Sequence, residues 1–345
     1  MSTTFEQLAR QALDADHDLP DIESAVTDDE YAQILQELSQ ASVDRNFDAF
    51  IDIDWDSDDF QIRDDDPRWV LSADEDPLGA HPWYQAQPLA KQIAMGQWRQ
   101  ANIMKVGLQF ENILIRGIMQ YVFTRPNGSA EFRYLTHEAT EECHHTQMFQ
   151  EGVNRIGVDV PGMPRWLRRA AKFIPWAASA VPVGFFIGVL AGEEPIDHMQ
   201  KAVLRSTHEP PRVMQRIMAI HVAEEARHIS FAHQYIRRNA PKLGPVDRWL
   251  TSLAFPVIMR VLCDAIMIPP REFAAEFDIP DDVIKDVWWR SPQSRRRLAD
   301  LFGDARMLAR DSGLYGPSAR LMWKLLKIDG KPSRYRSEPP VTFRN

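Results

Sequence analysis

The chain has 345 residues, enough to bury a large core, and its 44% apolar and 26% charged residues argue against disorder and against an integral membrane protein. A formal net charge of −9, gathered around Asp52, Asp54, Asp56, Asp58, Asp59, Asp64, Asp65 and Asp66, repels phosphate backbones, so nucleic acid is not an expected partner. Two cysteines, Cys143 and Cys263, are too few for a disulfide framework and fit a reducing cytosol; with no export signal at the amino terminus, a cytoplasmic location is expected.

Thr27, Asp28 and Asp29 offer caps for an amphipathic helix over residues 31–47, where Ile34, Leu35 and Leu38 recur at helical spacing. The acidic run that follows reads as a solvated loop or mobile arm, because like charges in a block repel. Pro77, Pro82 and Pro88 keep the chain irregular until Leu89. The expected organisation is an acidic extension with one helix over 1–80, a main domain over 81–315, and a carboxy-terminal helix and tail over 316–345.

Residues 89–123 form one long helix by pattern, and Arg125-Pro126-Asn127-Gly128 supplies a turn before a second helix over 130–155. The stretch from Phe173 to Ala191 is mostly apolar, but Pro175 and Pro182 interrupt it and Glu193 with Glu194 follow at once. It reads as a buried helix, with no stable membrane insertion. A third core helix over about 180–205 is bent by Pro182 and Pro195, and Pro210-Pro211 opens a fourth that runs to Asn239. Period-two alternation does not recur, so the fold class is all-α, with four core helices and smaller carboxy-terminal ones.

Two of these helices carry the same local pattern: Glu141-Glu142-Cys143-His144-His145 and Glu224-Glu225-Ala226-Arg227-His228. A Glu at i and a His at i+3 share one helical face, so Glu142 with His145, and Glu225 with His228, can address one point. His221, four residues before Glu225, joins that face. Glu141 and His144 stand at the same spacing, but alignment with the second copy favours Glu142 and His145, turning the other pair towards a second layer or solvent. The remaining core helices carry Glu111 and Glu194 in apolar surroundings, where an unpaired carboxylate costs several kcal/mol unless a cation joins it. One Glu from each of two helices plus Glu-x-x-His from each of two others is the ligand pattern of ferritin-like di-iron and di-manganese bundles. Glu138 takes the place of His221 in the first copy and reads as an ordinary polar neighbour more readily than as a further ligand; His198, His208 and His233 read as structural.

Phe110-Glu111-Asn112, Glu142-Cys-His-His145, Gly192-Glu193-Glu194 and His221-x-x-x-Glu225-x-x-His228 resemble the motifs of the p-aminobenzoate N-oxygenase family, AurF-like diiron enzymes of the ferritin-like superfamily. The similarity extends from about His81 to Leu314 and leaves out the acidic extension. The resemblance implies a ferritin-like four-helix bundle with added amino- and carboxy-terminal helices. It implies two iron ions, with manganese the alternative, held by Glu111, Glu142, His145, Glu194, His221, Glu225 and His228. The implied chemistry is activation of O₂ through a peroxo-bridged diferric species, with oxygen transfer to an arylamine and electrons from an external donor. Ile103 and Val106, positioned to aim at an aryl carboxylate, are apolar, so a cationic anchor there is missing; Lys105, Arg116 or Arg205 would have to supply one. The alternatives are a diiron hydroxylase or desaturase acting on carbon of a lipid-like substrate, and a ferritin-like iron-binding protein. A homodimer is expected from the prevalence of two-fold assemblies.

Overall fold

Local signals decide where each helix begins and ends. The computed structural model describes residue 7, residues 27–206 and residues 208–336, and among the described residues there is no strand. Helix α1, Asp28–Asp44, opens on a capping box: the Thr27 side chain accepts from the Glu30 backbone, and the Glu30 carboxylate accepts from the Thr27 backbone. Helix α2, Leu89–Val122, is 34 residues long, about 51 Å at 1.5 Å per residue. Ser129 caps α3, Ala130–Ile156, and Gly157 ends it in the left-handed region at φ 77°. Proline starts α4, Pro182–Arg205, and a second, Pro195, lies within it; Pro211 precedes α5, Arg212–Asn239.

These four long helices pair as α2 with α3 and α4 with α5, and α3 meets α5, closing an all-α, ferritin-like bundle. Helix α1 lies on α3 and α5 and buries Ile34, Leu35 and Leu38. After the bundle come α6 (Pro245–Met267), α7 (Pro292–Asp300), α8 (Gly303–Asp311) and α9 (Pro317–Leu325). At 23 residues α6 is longer than the small carboxy-terminal helices expected from sequence. Its internal Pro256 and its lack of a clean polar face disguise it, and it packs along α4.

The acidic run also differs from a free arm. Its aspartates are mostly exposed, but Ile53, Trp55 and Trp69 are buried, and the Trp55 indole donates to the Ala49 carbonyl at 2.7 Å. Arg155 on α3 donates to the Trp55 carbonyl at 2.6 Å and to Asp56 at 2.9 Å. Aromatic anchors therefore hold a loop whose charges stay in water. The turn Pro67–Trp69 lies so close to α2 that a Cβ on Gly96 would stand 1.7 Å from the Trp69 carbonyl oxygen, so only glycine fits there.

The apolar stretch from Phe173 is broken into a 3₁₀ turn, the short helix Ala177–Ala180 and the start of α4, where Phe186, Ile187 and Leu190 are fully buried. Among the described residues a single helical segment, Pro245–Glu276, is long and apolar enough to cross a membrane by length and composition, and less than half of its most apolar window is buried.

Candidate metal centre

Glu111 on α2, Glu142 and His145 on α3, and His221, Glu225 and His228 on α5 converge between the helices, all of them buried. They form two groups, Glu111 with His145 and His221, and Glu142 with Glu225 and His228; within each, one ligand-type atom per residue lies within 4.8 Å of the others. The groups share carboxylates. Glu225 Oε1 is 3.3 Å from His221 Nε2, 3.4 Å from His228 Nδ1 and 3.5 Å from His145 Nδ1. Glu142 lies 3.3 Å from His145 Nδ1 and 2.9 Å from His228 Nδ1. His221 Nε2 stands 3.5 Å from Glu111.

Each imidazole points one nitrogen inward and has the other held by an acceptor. His145 Nε2 meets Glu224 at 2.8 Å, His228 Nε2 meets Glu141 at 2.8 Å, and His221 Nδ1 meets Gln200 at 2.8 Å. A carboxylate can only accept, so the outer nitrogen carries the hydrogen and the inner lone pair is left for a cation. The repeated Glu-Glu-x-x-His thus acts crosswise: the first Glu of each copy orients the histidine of the other. Arg227 ties the two outer acids together, 2.9 Å from Glu141 and 3.6 Å from Glu224, and the Phe47 amide also donates to Glu224 at 3.2 Å.

Glu194, expected among the ligands, is not at this centre. Its carboxylate pairs with His233 on α5, on a side of α4 shared with Asp304 and His198, and burial first, then Asp304, pushes it up to about 8. The neighbouring Glu193 faces the centre instead. Burial raises its carboxyl well above the usual range, and repulsion from Glu225 and Glu142 adds to this. The sequence carried no signal for this choice: α4 is buried almost all round from Phe185 to Pro195, so periodicity cannot tell one acid from its neighbour. For Glu141 and Glu224 the signal existed, in the doubling of Glu in both motifs.

The centre holds more buried carboxylate oxygens than the hydrogen bonds around it satisfy. Among the described residues, Glu111 Oε2, Glu225 Oε2 and both Glu193 oxygens are buried without a hydrogen-bond partner, and Glu142 Oε1 and His228 Nδ1, though 2.9 Å apart, do not meet in hydrogen-bond geometry. Buried acceptors in that number are costly unless a cation satisfies them together. Glu138 is buried beside them, and its carboxyl is pushed up to about 8 by burial, with His228 opposing and Glu142 and Glu225 reinforcing. Burial also works to raise Glu142, but His228 and His145 outweigh it and hold that acid at about 2. His221 is driven down to about 3 by burial, with Glu225 opposing. Carboxylate and imidazole donors of this kind suit iron or manganese, and the residues present fit a pair of such ions.

A cavity of about 120 Å³ borders Glu111, Glu193, His221 and Glu225. Ile103 and Val106 line it and are apolar, as expected. Of the cations considered from sequence, Lys105 donates to Gln150 at 2.9 Å and Arg116 to the Asn112 carbonyl at 3.0 Å. Arg68 reaches the lining and was not anticipated; its Nε lies 3.0 Å from both Asp66 oxygens and a terminal nitrogen lies at 2.7 Å, so its charge is already balanced.

Residues 28–313 match the family model described as "P-aminobenzoate N-oxygenase AurF". The match takes in α1 and the acidic loop, which the resemblance drawn from motifs left outside. The chain is also 60% identical over 315 residues to "Uncharacterized protein Rv0885" of Mycobacterium tuberculosis strain H37Rv, covering 91% of this chain and 92% of the relative. "Uncharacterized protein Mb0909" of Mycobacterium bovis matches with the same identity and coverage.

Proposed function

Because the chain belongs to the p-aminobenzoate N-oxygenase family, we propose that it is a non-haem diiron oxygenase that oxygenates the nitrogen of an arylamine held in the cavity beside Glu111 and Glu193. The observation that carries this reading is the orientation of three buried imidazoles, each with its inner nitrogen aimed at carboxylates shared between two positions. One ion would be held by Glu111, His145 and His221 and the other by Glu142, Glu225 and His228, with Glu193 facing the centre as a further carboxylate. Bound as a reduced pair, iron supplies electrons and open coordination positions for dioxygen activation. The protein's own part is to hold the histidines in one tautomer through Glu141, Glu224 and Gln200, and to surround the cavity side with apolar residues that exclude water. An external electron donor restores the reduced state.

The cavity carries no unbalanced cation among the lining residues considered above, which favours an amine without a free carboxylate over p-aminobenzoate itself. The same apolar lining supports a second reading, oxidation at carbon of a lipid-like molecule. Anaerobic loading with ferrous iron, followed by oxygen and a panel of arylamines, separates them when products are identified by mass. Two iron ions per chain and an oxygen-dependent hydroxylamine are expected. A loaded protein that consumes oxygen with every amine unchanged would refute N-oxygenation and leave carbon oxidation to test with fatty amides and acids.

A further inference from the structure

The protein is acidic overall, yet between Asp159 and Glu193 it carries no acid while carrying Arg165, Arg168, Arg169 and Lys172. All four are exposed, on and just after the short helix Arg165–Ala170. Arg165 approaches Glu272 at 3.7 Å; among the described residues no carboxylate pairs with Arg168, Arg169 or Lys172. Interleaved with these cations, Trp166, Phe173 and Trp176 each stand more than half exposed, and the Phe173 and Trp176 rings meet edge to face at 5.9 Å.

Across from this segment lies the open side of α6, with Trp249 and Leu250 also more than half exposed. Between the two runs an apolar groove of about 530 Å³, walled among others by Trp166, Val181, Leu250, Ile258 and Val261. Such an area of exposed apolar surface calls for a cover. The local charge says which kind: cations in a globally acidic chain seek an anionic partner, and tryptophans beside arginines are the composition that settles at a bilayer's headgroup level.

We propose that this face docks on the surface of an anionic phospholipid bilayer, with Arg168, Arg169 and Lys172 among the headgroups, Trp166 and Trp176 at the interface, and a lipid acyl chain in the groove. The inference stands apart from the metal centre, since none of these residues belongs to it. The full-length protein is sedimented with vesicles of phosphatidylcholine, alone or with phosphatidylglycerol added. Binding is expected only where phosphatidylglycerol is present. At about 1 kcal/mol per cation near such a surface, R168E/R169E/K172E lowers the partition coefficient by at least about a hundredfold. These side chains are exposed, so the melting temperature stays that of the wild type. W166S/W176S also weakens binding and reduces quenching of tryptophan emission by bromine-labelled acyl chains. Absence of binding to phosphatidylglycerol vesicles, or binding unchanged in both variants, overturns the proposal. So does a dimer in size exclusion that the same substitutions dissociate, an outcome that assigns the face to a second copy of this chain.

Discussion

Removal of the Glu224 carboxylate tests the crosswise arrangement of the two motifs. Glu224 accepts from His145 Nε2 at 2.8 Å, both groups are buried, and the acceptor is charged, so the bond belongs to the class of about 1.5–3 kcal/mol. In Glu224→Ala the imidazole loses the partner that holds its inner lone pair towards Glu111 and Glu225. At about 1.4 kcal/mol per tenfold, affinity at that position should fall roughly 10- to 100-fold, the range typical of outer partners of metal-bound histidines. Arg227 keeps Glu141 at 2.9 Å, so His228 and its position should be spared. Glu141→Ala should do the reverse, weakening the His228 position. The assay is anaerobic titration of apo-protein with ferrous iron against a chromophoric chelator, with metal content read in parallel and melting curves to confirm folding. Glu224→Gln, which keeps an acceptor oxygen, should recover part of the loss. Two unchanged binding steps in Glu224→Ala, in a folded protein, would refute the orienting role.

Further outcomes follow from the same geometry. Glu193→Ala should lower bound iron below two per chain, whereas Glu194→Ala, whose side chain pairs with His233, should leave iron content unchanged; metal analysis of the two purified variants decides. Loading with iron or manganese should raise the melting temperature, and Glu225→Ala, which removes the oxygen shared by three histidines, should abolish most of that rise. On α4, Gly192→Ala should destabilise by about 1–3 kcal/mol, because its Cβ would stand 1.9 Å from the Phe110 ring. Gly188→Ala, with nothing within 4 Å, should stabilise by about 0.5–1 kcal/mol, as denaturant melts of the pair can measure. Thr27→Ala breaks the capping box of α1 and should cost about 1 kcal/mol in the same measurement.

Local residue patterns were enough to place the helices of the bundle and to single out most of the residues that meet at the centre. Prolines, glycines and caps such as Thr27, Ser129 and Gly157 are local signals, and they set the helix ends within a few residues of expectation. The Glu-x-x-His spacing is equally local, since i and i+3 share a face whatever the helix packs against, which is why Glu142, His145, Glu225 and His228 were legible along with His221. What a helix meets is not local. Glu193 and Glu194 differ by a rotation of about 100°, and only the packing of α4 against α5 turns Glu193 to the centre and Glu194 to His233. Likewise Glu141 reaches His228, Glu224 reaches His145 and Gln200 reaches His221 across helix boundaries, contacts made by rigid neighbours whose relative rotation no single stretch of residues encodes.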